Sequence, residues 1–273
     1  MTYLTLAGLS RQERQILSHC SAMESMTVNS DHVIEVLPCS RAYANTILSR
    51  LALKGWLQRL KAGVYSIVSM SSLTAEPVIE DAWSLAIDLF KPAFISGWTA
   101  AEHWGLTEQI FNDISIVSNT EQRQTEQTIG GIKFKIRLMT TDRFFGFQSI
   151  WHGSKKIEIA DPSRMIIDIL DIPSFGGGSQ HSIDFINQYW KSDLKNQDLL
   201  LEYAIRYNKG VVFKRLGFLA ERLKAPVTEK WLKACQQNIS KGISSLDPHS
   251  SPKGKICTKW NLKINCEFKL NFS

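Results

Sequence analysis

An α+β protein in two unequal parts is what this sequence predicts, on three observations. Short helical segments punctuated by Ser, Pro and Gly fill about the first seventy residues, β-rich runs separated by glycine turns occupy the middle, and amphipathic helices crowd the stretch beyond Asp161. Helices and strands come in blocks, without the alternation that would demand a parallel sheet, so an antiparallel sheet is expected in the larger second part. A chain of 273 residues is also long for one compact domain.

The elements follow in order. Ser10 precedes RQERQILSHCSA, where Ile16, Leu17 and Cys20 share a face and the Ser10/Glu13 spacing matches a capping box. Thr27-Val28 predicts a short strand, Ser30 or Asp31 caps a helix over HVIEVL, and Pro38 stops it. Ser40 caps RAYANTILSRLALK, and Gly55 ends it. WLQRLKAGVYSIV then turns at Ala62-Gly63, predicting a two-stranded hairpin. Helix, turn, helix and basic hairpin together predict a winged helix-turn-helix that binds double-stranded DNA, within a first domain of residues 1–72.

A wheel of the third helix puts Tyr43, Ala44, Ile47, Leu48 and Leu51 on the core side. Arg41, Ala42, Asn45, Thr46, Ser49 and Arg50 face the other way, and the first turn would enter the groove. Arginine pairs bidentately with guanine and asparagine with adenine, which makes Arg41 and Asn45 the candidates for base reading. With Ser40, Lys54, Arg59 and Lys61 they complete the expected DNA surface, in a stretch from Val36 to Ala75 that holds no acidic residue.

Ser66 to Pro77 reads as a linker into a second domain of residues 73–273. EDAWSLAIDLF and WTAAEHWGL predict helices with PAFISG as a crossing between them, Trp98, Ala101 and Leu106 facing the core of the second. DISIVSN, GIKFKIRL, RFFGFQSIW and KKIEIA predict strands, with turns at Gly130-Gly131 and Gly153-Ser154. Asp161-Pro162 opens SRMIIDIL, and helices over SIDFINQYW, NQDLLLEYAIRYN and VVFKRLGFLAERL follow, with PSFGGGSQ as a loop.

The net charge of +6 divides into a basic head, a slightly acidic middle and a basic tail. The tail carries Lys253, Lys255, Lys259 and Lys263, while Lys209, Lys214, Arg215 and Arg222 read as exposed cations on the last amphipathic helix. Both sets are candidate surfaces for an acidic partner or nucleic acid. Cys20, Cys39, Cys235, Cys257 and Cys266 are scattered and unpaired by motif, which predicts reduced thiols. The start lacks a leader's basic and apolar regions and no apolar run spans a bilayer, so a cytoplasmic protein without a membrane segment is expected.

No catalytic signature emerges. Asp113, Glu158, Asp161 and Asp168 have no spacing that implies a two-metal site, and Asp161 is more simply a helix cap. His103 lacks a second histidine at zinc-helix spacing, and Gly176 to Gly178 lacks the Lys and Ser/Thr of a phosphate loop, leaving a flexible loop. No G-x-S-x-G elbow occurs. The expectation is a non-enzyme without cofactor or metal.

Several phrases, in order along some 250 residues, carry a further signal: LQRLKAGVY, EPVIEDAW, PAFISGWTAAEHWGLTEQ, IEIADPSRMIIDILDIPSFGGG, DLLLEYAIRYNKGVVFKRLGFLAERL and LDP…GK…KWNLKIN. In these the chain resembles the AbiEi-type antitoxin and transcriptional regulator family of bacterial abortive-infection toxin–antitoxin systems. The resemblance implies a winged-helix domain that represses its own promoter through inverted repeats, and a carboxy-terminal domain that counteracts a nucleotidyltransferase-like toxin, with direct contact to the toxin left open. By position, the family's recognition-helix and wing residues fall on Arg41, Asn45, Arg50, Arg59 and Lys61. A monomer, or a dimer assembled on DNA, fits inverted-repeat binding. The alternatives are a regulator with a ligand-sensing second domain and, further off, a DNA-directed nuclease.

Overall fold

The computed structural model describes residues 8–23, 25–68, 81–153 and 155–266. The expected boundary near Ser72 lies outside these residues. The chain folds as α+β, and no helix among the described residues is long and apolar enough to cross a membrane.

The amino-terminal unit opens with α1 (Arg11–Ser21), whose capping box is formed as expected. The Ser10 hydroxyl accepts from the Glu13 amide at 3.3 Å, and the Glu13 carboxylate accepts from the Ser10 amide at 2.7 Å. Helix α2 (Ser30–Val36) is capped by Asn29, not by Ser30 or Asp31, because the Asn29 side chain reaches two orphan amides, those of Asp31 and His32. Ser40 caps α3 (Arg41–Leu53), and the hairpin of β1 (Leu57–Lys61) and β2 (Val64–Ile67) follows. Val28 bridges to Tyr65, the short strand expected at Thr27-Val28. Ile16, Cys20, Val33, Ala44, Ile47, Leu48, Leu51 and Tyr65 form a core of their own beneath these elements. Tyr43 is the departure from the wheel: at helix position N3 it is 47% exposed, since the core behind α3 is filled by Ala44, Ile47 and Leu48.

The body begins with α4 (Ala82–Phe90), then β3 (Ala93–Ile95), α5 (Gly97–His103), β4 (Asp113–Ser118), β5 (Glu126–Ile129), β6 (Ile132–Leu138), β7 (Phe147–His152) and β8 (Lys155–Ala160). These strands build one six-stranded sheet in the order β5-β6-β4-β3-β8-β7. The sheet is mixed, not antiparallel: β4 runs parallel to β6, and β3 parallel to β8. The turns of the β5–β6 and β7–β8 hairpins were legible, but strand β5 was not among those expected, and the parallel contacts join strands with at least one other strand between them, β5 between β4 and β6 and four strands between β3 and β8. Strand β3, expected only as a crossing, lies in the middle of the sheet with its three residues buried. Three residues are too few to display a period.

Helices α6 (Pro162–Asp171), α7 (Ser179–Lys191), α8 (Gln197–Tyr207) and α9 (Gly210–Arg222) fall where expected. Beyond them the basic tail is a folded element, with α10 (Glu229–Gln237) and a small sheet of β9 (Ser244–Ser245), β10 (Lys255–Cys257) and β11 (Leu262–Ile264). Trp260, fully buried, pins this sheet to α9 where Gly217 leaves room for its ring, and its indole N–H donates to Glu221 at 2.8 Å.

The glycine run at 176–178 is a packed corner, in contrast to the flexible loop expected. Gly177 has φ of 82°, and a Cβ there would overlap the Trp98 ring, while one at Gly176 would press on Ile169 and Ser182. Gly177→Ala therefore combines left-handed backbone strain with overpacking and is expected to destabilise the body by at least about 2 kcal/mol. Gly105, at φ of 66° with open space around it, isolates the backbone contribution, and Gly105→Ala is expected to cost only about 1 kcal/mol. Chemical denaturation of both variants checks this; equal losses would mean that the Trp98 contact carries no weight.

Candidate nucleic-acid interface

Helix α3 separates two kinds of residue cleanly. Ala44, Ile47, Leu48 and Leu51 are at most 1% exposed, while Arg41, Ala42, Asn45, Thr46, Ser49 and Arg50 are all exposed. Ser40 is occupied as the cap, its hydroxyl accepting from the Tyr43 amide at 3.3 Å. Thr46 donates to the Ala42 carbonyl at 3.0 Å, and Ser49 lies 3.3 Å from the Tyr65 hydroxyl, which ties the helix to the hairpin. Arg41, Asn45 and Thr46 therefore share an exposed stripe that starts at the helix amino terminus, where backbone N–H groups and the helix dipole favour an anion.

The charge of this surface is lower than the acid-free stretch of sequence suggested. Arg41 pairs with Asp31 of α2 at 2.6 Å, both side chains exposed. Arg50 and Lys54 both turn to Glu13 of α1, at 2.9 and 2.8 Å, and Lys54 also donates to the Gly8 carbonyl at 3.1 Å. Glu13 is only 1% exposed. Burial works against its charge, but hydrogen bonds from Lys54, from the Ser10 amide and hydroxyl and from Arg50 outweigh it and hold the carboxyl at about 2, below its ordinary 4.5. Arg59 is exposed on the hairpin, whereas Lys61 is half-buried against the body, donating to the Leu89 carbonyl at 3.2 Å with its ammonium 5.2 Å from the centre of the Phe90 ring.

The cations expected on the last amphipathic helix divide differently. Lys214 and Arg215 are not surface residues: they are 0% and 4% exposed on α9, a helix buried on nearly every side from Val212 to Ala220. Lys214 donates to the Gly242 carbonyl and the Ser244 hydroxyl, Arg215 to the carbonyls of Leu170, Asp171 and Ser245. Both serve the backbone of neighbouring elements, which is how a buried cation is tolerated. Lys209 pairs with Asp171 at 2.7 Å. Arg222, Lys253 and Lys255 are exposed, as expected, while Lys259 pairs with Glu221 and Lys263 donates to the Pro252 carbonyl at 3.1 Å.

The carboxylates weighed as catalytic are engaged one by one. Asp113 pairs with Lys133 and Lys135, Glu158 accepts from Ser149, Asp161 caps α6 and accepts from Tyr203, and Asp168 accepts from Ser96 and Arg164. His103 stands edge-on to Trp83 and Trp104. Among the described residues no three His, Cys, Asp or Glu side chains gather as metal ligands.

No family model matches the chain, and no curated protein matches it. Among solved structures, the chain is similar to the crystal structure of the RV2827C protein from Mycobacterium tuberculosis, with a TM-score of 0.61 and 13% identity, over 96% of this chain and 94% of that one. At that identity the likeness is one of fold, and it extends over both the amino-terminal unit and the body.

Glu13 gives this face a pH signature. Its carboxyl lies lower folded than unfolded, so its contribution to stability is complete above about pH 4.5 and is lost as the pH falls toward 2. Glu13→Gln is expected to cost the amino-terminal unit about 1–3 kcal/mol at pH 7, because two cations lose their acceptor, and to flatten the fall in stability below pH 4.5. Urea denaturation of the two proteins from pH 7 to 3 measures both effects; parallel curves would show that Glu13 does not hold the pair.

Proposed function

We propose that this chain is a DNA-binding antitoxin that represses its own promoter. The amino-terminal unit is read as a winged helix-turn-helix: α2, the turn at Pro38, α3 as recognition helix, and β1–β2 as wing. The observation that carries the reading is the exposed stripe of Arg41, Asn45 and Thr46 on α3, backed by a helix face that is wholly core. Side chains able to pair with guanine and adenine stand there in the first turn and a half, where a recognition helix meets base edges. Exposed Arg59 supplies a phosphate contact from the hairpin.

The antitoxin half of the proposal rests on the resemblance to AbiEi-type proteins, which runs through the body as well as the hairpin. In it the chain is the partner of a nucleotidyltransferase-like toxin, and the surface-exposed Arg222, Lys253 and Lys255 are candidates on the body for contact with an acidic partner.

Arg41→Ala and Asn45→Ala are each expected to weaken binding to a duplex selected from a randomised pool by about 1–3 kcal/mol and to relax base preference at one position. Arg59→Ala is expected to weaken selected and random duplexes alike, with a salt slope shallower by about one. A full-length protein that enriches no sequence from the pool would remove the DNA reading. Separately, if the gene encoded beside this one specifies a nucleotidyltransferase-like protein that arrests growth, co-expression of the full chain is expected to relieve the arrest, with the Arg41→Ala chain relieving it equally; no such gene, or arrest that persists, would remove the antitoxin reading alone.

A further inference from the structure

The amino-terminal unit meets the body at two neighbouring points, the Ser25–Met26 segment between α1 and α2 and the end of β1 in the hairpin. Asp88 of α4, with a side chain 6% exposed, accepts from the Met26 amide at 2.7 Å and pairs with Lys155 at 2.6 Å, while the Ser25 hydroxyl stands 3.4 Å away. Beside it Lys61, the last residue of β1, donates to Leu89 and sits over Phe90. Met26, Leu60 and Val64 pack on the body's core, so the apolar side of this contact is covered too. A lysine at a hairpin turn would ordinarily stay in water, and burial pushes its ammonium down from its usual value.

From this geometry we infer that the body latches the amino-terminal unit, with Asp88 as the catch on the Met26 amide, so that Lys61 on the adjoining hairpin is withheld from DNA phosphate until the unit lifts from α4. The latch rests on the DNA-binding reading above. While it is closed, α3 and Arg59 are the elements open to a duplex; once it opens, Lys61 adds one phosphate contact, and opening and tight binding favour each other reciprocally. Asp88 is a positioning residue in this scheme and touches no DNA.

The test compares the full-length wild type with Asp88→Asn, Lys61→Ala and the double variant. Each protein is titrated onto a fluorescent random-sequence 20-base-pair duplex between 50 and 200 mM salt, and Met26 amide exchange is followed without DNA. Asp88→Asn keeps the shape of the side chain, and circular dichroism confirms that each variant is folded. The expected results are faster exchange at Met26 in Asp88→Asn and a salt slope steeper by about 0.9, the value of one added phosphate contact. Adding Lys61→Ala should abolish that gain. The double variant also separates the latch from simple removal of a negative charge, since a gain that survives Lys61→Ala overturns it. Lys61→Ala alone flattening the wild-type slope by a full contact overturns it as well, as does unchanged Met26 exchange in Asp88→Asn. Absence of binding by all four proteins at the lowest salt removes the DNA reading and the latch together, and its uniformity distinguishes that outcome from the others.

Discussion

The body is organised around the need to satisfy one helix that has no solvent. Every residue of α6 from Ser163 to Leu170 is buried, so neither its polar side chains nor the orphan carbonyls of its last turn can turn to water. Three guanidinium groups answer that constraint. Arg137 of β6 donates to the Asp168 carbonyl, Arg215 of α9 to those of Leu170 and Asp171, placing positive charge at the negative end of the helix dipole. Arg164, inside the helix, reaches the Arg143 and Phe145 carbonyls and pairs with Asp168, whose carboxylate also accepts from Ser96. Asp171 closes the set: burial pushes it up, but Arg137, Lys209 and Tyr207 more than offset this and hold it below the usual range. One buried network thus joins the sheet, α5, α6, α8 and α9. Because Arg137 and Arg164 are held by carbonyls as well as carboxylates, and Arg215 by carbonyls alone, removing any of the three would leave buried acceptors unpaired.

The amino-terminal unit uses its charges differently. Its acidic residue at the core edge, Glu13, both completes the α1 capping box and collects Arg50 and Lys54 from α3. This fixes the angle between α1 and α3 while lowering the charge of the exposed side. The exposed side of α3 is therefore largely polar, and its two arginines, Arg41 and Arg50, both lie against carboxylates from other helices. Inside the body, cations hold carbonyls; on α3 they are partly muted by acids contributed from other helices.

What could be read from sequence was what neighbours in sequence decide. The Ser10/Glu13 box, the Ser40 cap, the buried face of α3 and the hairpin after Gly55 each depend on residues within a turn or two, and they stand where the pattern put them. The cap of α2 was misplaced by one or two residues because Asn29, Ser30 and Asp31 are all competent caps and only geometry chooses among them. Long-range partners were the illegible part. Arg41, Arg50 and Lys54, drawn from a stretch of sequence without acids, still fold against Asp31 and Glu13, so a window of sequence is not a patch of surface. Lys214 and Arg215 looked solvated because charge usually marks the outer face, yet α9 is enclosed by α6, α10 and the carboxy-terminal sheet, and its cations serve carbonyls there. The mixed sheet escaped for the same reason: strand order is a property of the whole body, whereas turn signals report only adjacent strands.

The seating of Trp260 against Gly217 has a temporal meaning. Residues 8–68 complete a core from their own contacts and are made first, but the α9 face at Gly217 has no cover until synthesis has passed Trp260, more than forty residues later. A growing chain thus offers a finished head on an unfinished trunk, and the trunk's central helices wait for almost the last of the described residues before their enclosure is whole.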